Sequence, residues 1–328
     1  MGQYLLRRFL YMIPTLVAIS VVVFIVINLP PGDFVDRLVA QRRASGEIVS
    51  PTEAASMRTV YGLNDPLPVQ YVRWISNIIL HGDYGTSFRW QLPVNTLIWQ
   101  RLALTFLLSF FSLLFIWAVA IPIAIFSAVR QYSAGDYFFT FLAFIGVAIP
   151  DFLIALILMY FSFKLFGQSV GGLFSPQYVD APWDFAKMLD LFSHLWIPII
   201  VLGTAGTASL TRTMRANLLD ELRRPYVTTA RAKGLPEYWL ILKYPVRHAL
   251  NPFVSGLNDV FVNLVSGATI VSVVLGLQTT GPLLLDALQG QDTFLAASAI
   301  LQLSVLAVVG TLFSDVLLVW LDPRIRFR

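Results

Sequence analysis

The chain has 328 residues, 57% of them hydrophobic and only 13% charged, with a mean hydropathy of +0.71. A soluble domain carries about 25% charged residues, so this composition argues for a chain embedded in lipid. The net charge is +4, and most of the basic excess sits beside apolar segments, which points to membrane orientation and away from nucleic acid. Without cysteine neither a disulfide framework nor a thiolate metal or redox site can form. The histidines, His81, His194 and His248, are far apart in the chain, which argues against a histidine-rich metal site.

A membrane-crossing helix needs about 20 mostly apolar residues, because only helices and closed barrels satisfy their backbone in lipid. Six segments meet that need: residues 9–29, 102–129, 137–163, 195–211, 253–277 and 294–320. The predicted fold is therefore all-α and polytopic, with six spans. Arg7 and Arg8 precede the first segment as in a signal peptide, but its apolar stretch is too long and no small-x-small cleavage site follows it, Asn28 to Pro31 ending it instead, so it reads as a retained span. The loop at 30–101 reads as part-helical through 51–61 and 69–80, ending in the turn-rich run His81-Gly82-Asp83-Tyr84-Gly85. The fourth segment is the shortest and holds the small-residue run Gly203-Thr204-Ala205-Gly206-Thr207-Ala208-Ser209. Small residues let helix backbones approach closely, so it reads as a span packed among others, with a re-entrant segment as the alternative.

Lys and Arg orient the spans. Residues 212–251 hold eight bases against Asp220, Glu221 and Glu237, and the tail adds Arg324, Arg326 and Arg328. The loop after the third span has Lys164 and Lys187 against Asp180, Asp184 and Asp190, and the loop after the fifth has Asp286 and Asp292 with no base. Both termini (1–8 and 321–328) and the 212–251 loop are thus expected on the cytoplasmic side, and residues 30–101 outside.

Within that basic loop, Pro225 and Gly234 bracket a stretch suited to a short helix, since proline favours the first helical position and glycine the one past the end. Pro236 starts a second helix with Glu237 in its first turn, and Pro245 bends or breaks it. The residues alone leave two readings open: a knob that fits a partner's cleft, or a linker helix whose bases sit near anionic lipid.

The run Thr228-Thr229-Ala230-Arg231-Ala232-Lys233-Gly234-Leu235 resembles the EAA loop of ABC-importer permeases, in the form used by the dipeptide/oligopeptide/nickel permease family, and Arg247-His248-Ala249-Leu250-Asn251-Pro252 is similar to that family's continuation. Tyr4-Leu5-Leu6-Arg7-Arg8, Pro31-Gly32-Asp33, Tyr61-Gly62-Leu63-Asn64-Asp65-Pro66-Leu67 and Leu321-Asp322-Pro323-Arg324-Ile325-Arg326 resemble other stretches of its B-type subunits, in the right order. The chain departs at Leu275-Gly276-Leu277, where the family shows a Pro-Gly-Leu-Gly form, and at Gln291-Asp292, where it shows Arg-Asp.

The resemblance implies a type I importer-like core at 102–320 with a large periplasmic first loop, in a bacterial or archaeal cytoplasmic (inner) membrane. It implies a second permease subunit, two ATPase subunits or domains and an external substrate-binding protein as partners. It implies that Tyr226, Thr228, Thr229, Ala230, Arg231, Lys233, Gly234 and Leu235 couple the chain to an ATPase, with no nucleic acid involved. No G-x-x-x-x-G-K-[ST] phosphate loop occurs in the chain, so ATP and its Mg are expected on the partners and the chain is expected not to be an enzyme. Neither a metal site nor any other cofactor is expected in the chain itself. Peptides are the expected solutes, with oligosaccharides, opines, glutathione or chelated nickel as alternatives.

Charged residues inside spans are functional candidates by default. Asp151, midway along the third span beside Pro150, and Asp259 with Asn258 and Asn263 in the fifth are candidates to line a translocation path and favour a cationic group. A hydrogen bond between helices is the competing role. A self-contained secondary transporter is disfavoured by the lack of an internal repeat, and an intramembrane enzyme by the lack of a His-Glu-x-x-His or a convergent Ser/His/Asp set. His248 is expected to pack or cap.

Overall fold

The computed structural model describes residues 2–47, 49–60, 62–167, 171–179, 181–251, 253 and 269–321. Among them every extended regular element is a helix, and an isolated bridge joins Thr86 to Pro93. In chain order the helices are α1 (Gly2–Asn28), α2 (Phe34–Ala44), α3 (Pro51–Val60), α4 (Leu67–His81), α5 (Val94–Val129), α6 (Ala134–Ala148), α7 (Asp151–Phe166), α8 (Phe185–Leu222), α9 (Pro225–Ala232), α10 (Glu237–Lys243), α11 (Pro245–Ala249), α12 (Thr269–Val274), α13 (Thr280–Gln289) and α14 (Thr293–Leu321). Among the described residues four stretches are long and apolar enough to cross a membrane, Phe9–Asn28, Val94–Val129, Phe185–Leu222 and Thr293–Leu312, and the bent pair α6–α7 supplies up to one more. Most of the expected fifth span, 253–277, lies outside the described residues.

Two compact units form, one from Met1–Leu104 with Thr279–Val309, the other from Thr105–Gln278 with Gly310–Arg328. In the first unit α2, which the sequence reading missed, starts with a full capping box. Asp33 accepts from the Asp36 amide at 2.8 Å and Asp36 accepts from the Asp33 amide at 3.0 Å. That reciprocal pairing satisfies two of the orphan donors at a helix start. Arg58 on α3 then bridges both carboxylates. Trp74 of α4 is buried beside Phe24, Ala297 and Leu301, and its indole N–H donates to the Ser298 hydroxyl at 3.3 Å.

Asp292, which follows the departing Gln291 and keeps the aspartate of the family pattern, is fully buried. It accepts from the Ser87 hydroxyl at 2.5 Å and the Arg89 amide at 3.2 Å, and caps α14 through the Leu295 amide at 3.2 Å. A buried carboxylate needs such donors, because leaving it unpaired costs several kcal/mol, on the order of the desolvation penalty itself. Here it ties the 87–89 turn to the start of a long apolar helix.

The second unit corrects two expectations. The third span is not continuous: α6 and α7 meet at 101°. Pro150 supplies no amide to the helix ladder, and it holds Ile149 in an extended conformation (φ −84°, ψ 125°), as a residue before proline prefers. The fourth segment, the shortest in the sequence reading, is the longest helix among the described residues. Asp184 caps its first turn by accepting from the Lys187 amide at 2.7 Å, and it runs for 38 residues, about 57 Å at 1.5 Å per residue. The re-entrant alternative is absent there.

The small-residue run works as expected from its chemistry. A Cβ on Gly203 would lie 2.4 Å from Phe115 of α5, and one on Gly206 2.6 Å from Ile116. Gly146 of α6 packs against Thr204 and Ala208 of α8. Backbone-to-side-chain contacts this close are how helices gain dispersion energy where no hydrophobic drive separates helix from lipid.

Candidate functional site

α8 ends at Leu222, and the chain reverses through α9, α10 and α11. α9 begins with Pro225 at its first position and has eight residues, about 12 Å at 1.5 Å per residue. It stops where Gly234 takes φ +76°, a left-handed conformation that glycine adopts without steric cost. The stop is a Schellman motif: the Gly234 amide donates to the Arg231 carbonyl at 3.0 Å and the Leu235 amide to the Ala230 carbonyl at 3.4 Å. Local punctuation therefore sets both ends of this helix.

One face of α9 is clamped to its own chain. Val227 is completely buried and Ala230 is 9% exposed. They join Met214 and Leu218 of α8, Leu240 and Ile241 of α10, and Val246 and Ala249 of α11 in one cluster, on which Leu235 also packs. Tyr226 is half-buried as well. Its ring stands 5.8 Å from that of His248, and its hydroxyl donates to the Glu221 carboxylate. Burial first, then that carboxylate, pushes the Tyr226 phenol far above its ordinary pKa, so it stays a neutral strut. Ala230, expected to touch a partner, points into the chain instead, because it lies three residues from Val227 on the same helical face.

The opposite face is exposed: Thr228, Thr229, Arg231, Ala232, Lys233 and Gly234. The two threonine hydroxyls turn back to the Pro225 carbonyl at 2.8 and 2.9 Å. Arg231 pairs with Glu237 through two hydrogen bonds, at 3.0 and 2.5 Å, closing the turn between α9 and α10. Hydrogen bonding from Arg231 holds the Glu237 carboxyl below the usual carboxylate range.

A second anchor escaped the sequence reading altogether. Arg215 of α8 makes a two-pronged ion pair with Asp136 of α6, at 2.8 and 2.7 Å. Asp136 is buried and also accepts from the Tyr132 amide at 2.9 Å. Ser133 caps α6 one turn earlier, which is a local signal, but nothing local pairs an acid with a base 79 residues away. The pair fixes the end of α8 that carries α9 to the start of α6.

Of the path candidates, Asp151 is described and Asn258, Asp259 and Asn263 lie outside the described residues. Asp151 does not sit midway along a helix. It is the first residue of α7, immediately after the break. There the helix dipole favours a carboxylate, and its Oδ1 atom is buried without a hydrogen-bond partner among the described residues.

Residues 120–327 match the family described as the binding-protein-dependent transport system inner membrane component, and residues 1–109 match the N-terminal family of the same membrane components. The chain belongs to the peptide-permease family of ABC importers. It is 35% identical to the oligopeptide transport system permease protein AppB of Bacillus subtilis over 329 residues, covering 100% of both chains. It is 31% identical to the dipeptide transport system permease protein DppB of Alkalihalophilus pseudofirmus over 346 residues, again with both chains fully covered. The glutathione transport system permease protein GsiC of Salmonella paratyphi A is 33% identical over 330 residues, with the same full coverage. As a member of this family the chain is a membrane component of a transport system, which agrees with its long apolar helices.

Proposed function

We propose that this permease is the B-type membrane-spanning subunit of an ATP-driven importer that carries peptides, or a similar small polar solute such as glutathione, by alternating access. It has six spans and works with a second permease, two ATPase subunits and an external binding protein. Both termini and the 212–251 segment face the cytoplasm, and the 30–101 segment faces outward. ATP and Mg act on the ATPase partners.

The observation that carries this reading is the two-faced α9. Its inner face is locked to α8, α10 and α11 by Val227 and Ala230, while Thr228, Thr229, Arg231, Lys233 and Gly234 stand exposed. A short helix held so firmly on one side transmits a push delivered to the other. An ATPase groove closing on the exposed face moves α8 as a rigid lever, and α8 leads directly into the membrane core, as in other two-state rocking transitions. Tyr226 and Leu235 support the helix from behind.

Asp151, at the break between α6 and α7, faces the solute path in this reading and favours a cationic group such as a peptide amine. Asn258, Asp259 and Asn263 are assigned to the same path from sequence.

The test is Thr229→Arg in the full complex reconstituted in proteoliposomes. It adds bulk to an exposed position, so folding is expected to change by no more than about 0.5 kcal/mol. Peptide uptake and capture of the ATPase are expected to fall at least about tenfold, the ratio that a loss of 1.4 kcal/mol in docking produces. Unchanged uptake in this variant would sink the coupling role. Asp151→Asn is expected to slow uptake of peptides with a free amine more than that of N-acetylated ones.

A further inference from the structure

We infer that the first compact unit, Met1–Leu104 with Thr279–Val309, holds a second solute site, a cleft that takes the C-terminal carboxylate of a peptide-like ligand on Arg37. The cleft has a volume of about 650 Å³, within the range of small-ligand pockets, about 300–1,000 Å³. Four elements form it: one face of α2, Met57 of α3, the turn at 88–91 and the end of α13.

Its charge is one-sided. Arg37, Arg42 and Arg89 line it, and no acid does. Arg42 is held by Glu53 at 3.2 Å and Arg89 by Asp286 at 3.2 Å, so both are largely neutralised from outside the lining. Arg37 makes no ion pair or side-chain hydrogen bond among the described residues. Its sequence neighbour Asp36 is already committed to Arg58 and to the Asp33 amide. The uncompensated guanidinium is thus the group that attracts an anion, and its planar fork matches a carboxylate.

The rest of the lining suits a peptide. Gln41, Gln91 and Gln289 offer amides that pair with a peptide backbone. Phe34 and Phe88 form an apolar floor, their rings 4.9 Å apart. Gln91 holds φ +53°, which a non-glycine residue rarely adopts, and its side chain is pinned to the Phe88 carbonyl at 2.7 Å. Strain of this kind gathers at ligand clamps. Arg37 also borders a second cavity of about 570 Å³, so an extended ligand anchored on the guanidinium has room on either side of it.

The inference deepens the peptide-importer reading and rests on it for the nature of the ligand. It places an early holding point for solute on the first-loop unit, separate from the binding protein.

The experiment measures equilibrium binding of radiolabelled trialanine, and of trialanine amide, to the full chain. The chain is purified with its partner permease and ATPases in lipid nanodiscs, with neither ATP nor binding protein present. Arg37→Gln is compared with wild type and with Arg43→Gln, an exposed arginine on the same helix outside the cleft lining. Trialanine is expected to bind wild type and Arg43→Gln alike. The amide, and trialanine on Arg37→Gln, are expected to bind at least about tenfold more weakly, as loss of a charge-assisted pair requires. Three results would each overturn the site: no saturable binding to wild type, equal binding by Arg37→Gln, or equal binding of the amide. Loss of binding-protein capture by Arg37→Gln without peptide binding would also overturn it, and would assign the cleft to protein docking. Uptake into proteoliposomes separates the two readings. If wild type imports no peptide, the importer reading fails whatever the cleft binds. If wild type imports peptide but Arg37→Gln binds it normally, only the cleft assignment falls.

Discussion

Two ion pairs, each an arginine gripping a carboxylate through two hydrogen bonds, flank the turn from α8 into α9, and they differ in sequence separation and in burial. Arg231–Glu237 joins residues six apart, closes a turn and stands half in solvent, with side chains 52% and 51% exposed. Arg215–Asp136 joins residues 79 apart, clamps two long helices and leaves Asp136 only 3% exposed. The first lies where proline and glycine have already set the chain's path, so it adds little. The second lies where no local signal exists, so it carries the register of α8 against α6. A charge pair matters most where the backbone has the fewest other instructions.

The comparison is broken most directly at Asp136. Asp136→Ala leaves the partly buried Arg215 without its partner. It is expected to destabilise the solubilised chain by about 3 kcal/mol, the low end for a broken buried pair. Thermal unfolding followed by circular dichroism measures it. A double Asp136→Ala, Arg215→Ala variant that recovers much of the loss would identify the uncompensated charge as the cause; no recovery would point to packing instead.

A smaller effect is expected at the back of α9. Val227→Ala removes two methyl groups from a completely buried position, costing about 2 kcal/mol. The same variant is expected to loosen coupling, seen as ATP hydrolysis that continues with reduced uptake.

Gly234→Ala comes next. Nothing lies within 4 Å of a Cβ built at that position, so the cost is conformational alone, about 1 kcal/mol for a residue forced into the left-handed region. A loss well above that would mean that α9 is held more rigidly than its turn requires.

The exposed pair should give the smallest response. The depressed Glu237 carboxyl stabilises the folded form above its unfolded pKa of about 4.3. That contribution is lost as pH falls through the lower folded value. Because the pair is half exposed, water and salt screen most of it. Glu237→Gln is therefore expected to leave the melting temperature unchanged above about pH 5, while a drop comparable to that of Asp136→Ala would erase the contrast between the two pairs.

Legibility in the sequence followed the same division. The bounds of α9 and the start of α10 were readable nearly to the residue, and Pro245 was readable as a bend or a break though not as the start of α11, since Pro225, Gly234, Pro236 and Pro245 act through backbone sterics that need no partner. The two faces of α9 were only half readable. Helical spacing places Val227 and Ala230 on one side, yet only the packed α8, α10 and α11 decide that this side is inward, which moved Ala230 from an expected contact to a buried support. At Pro150 the sequence reads as one span with Asp151 midway along it; a proline demands an interruption, and the packing of both helices on α8 decides how far the chain turns. α2 was passed over because its polar surface hides a helix whose start rests on the reciprocal Asp33–Asp36 cap.

By itself the sequence determined the membrane character, the proline and glycine punctuation of α9 and α10, and the family. Each of these depends on composition or on interactions within a few residues, where chain connectivity holds the partners close. Tertiary structure alone decided the pairing of Asp136 with Arg215, the burial of Asp292 against Ser87 and the uncommitted charge of Arg37 in its cleft. Those outcomes depend on which groups remain unpaired after distant segments meet, and no local rule fixes that competition.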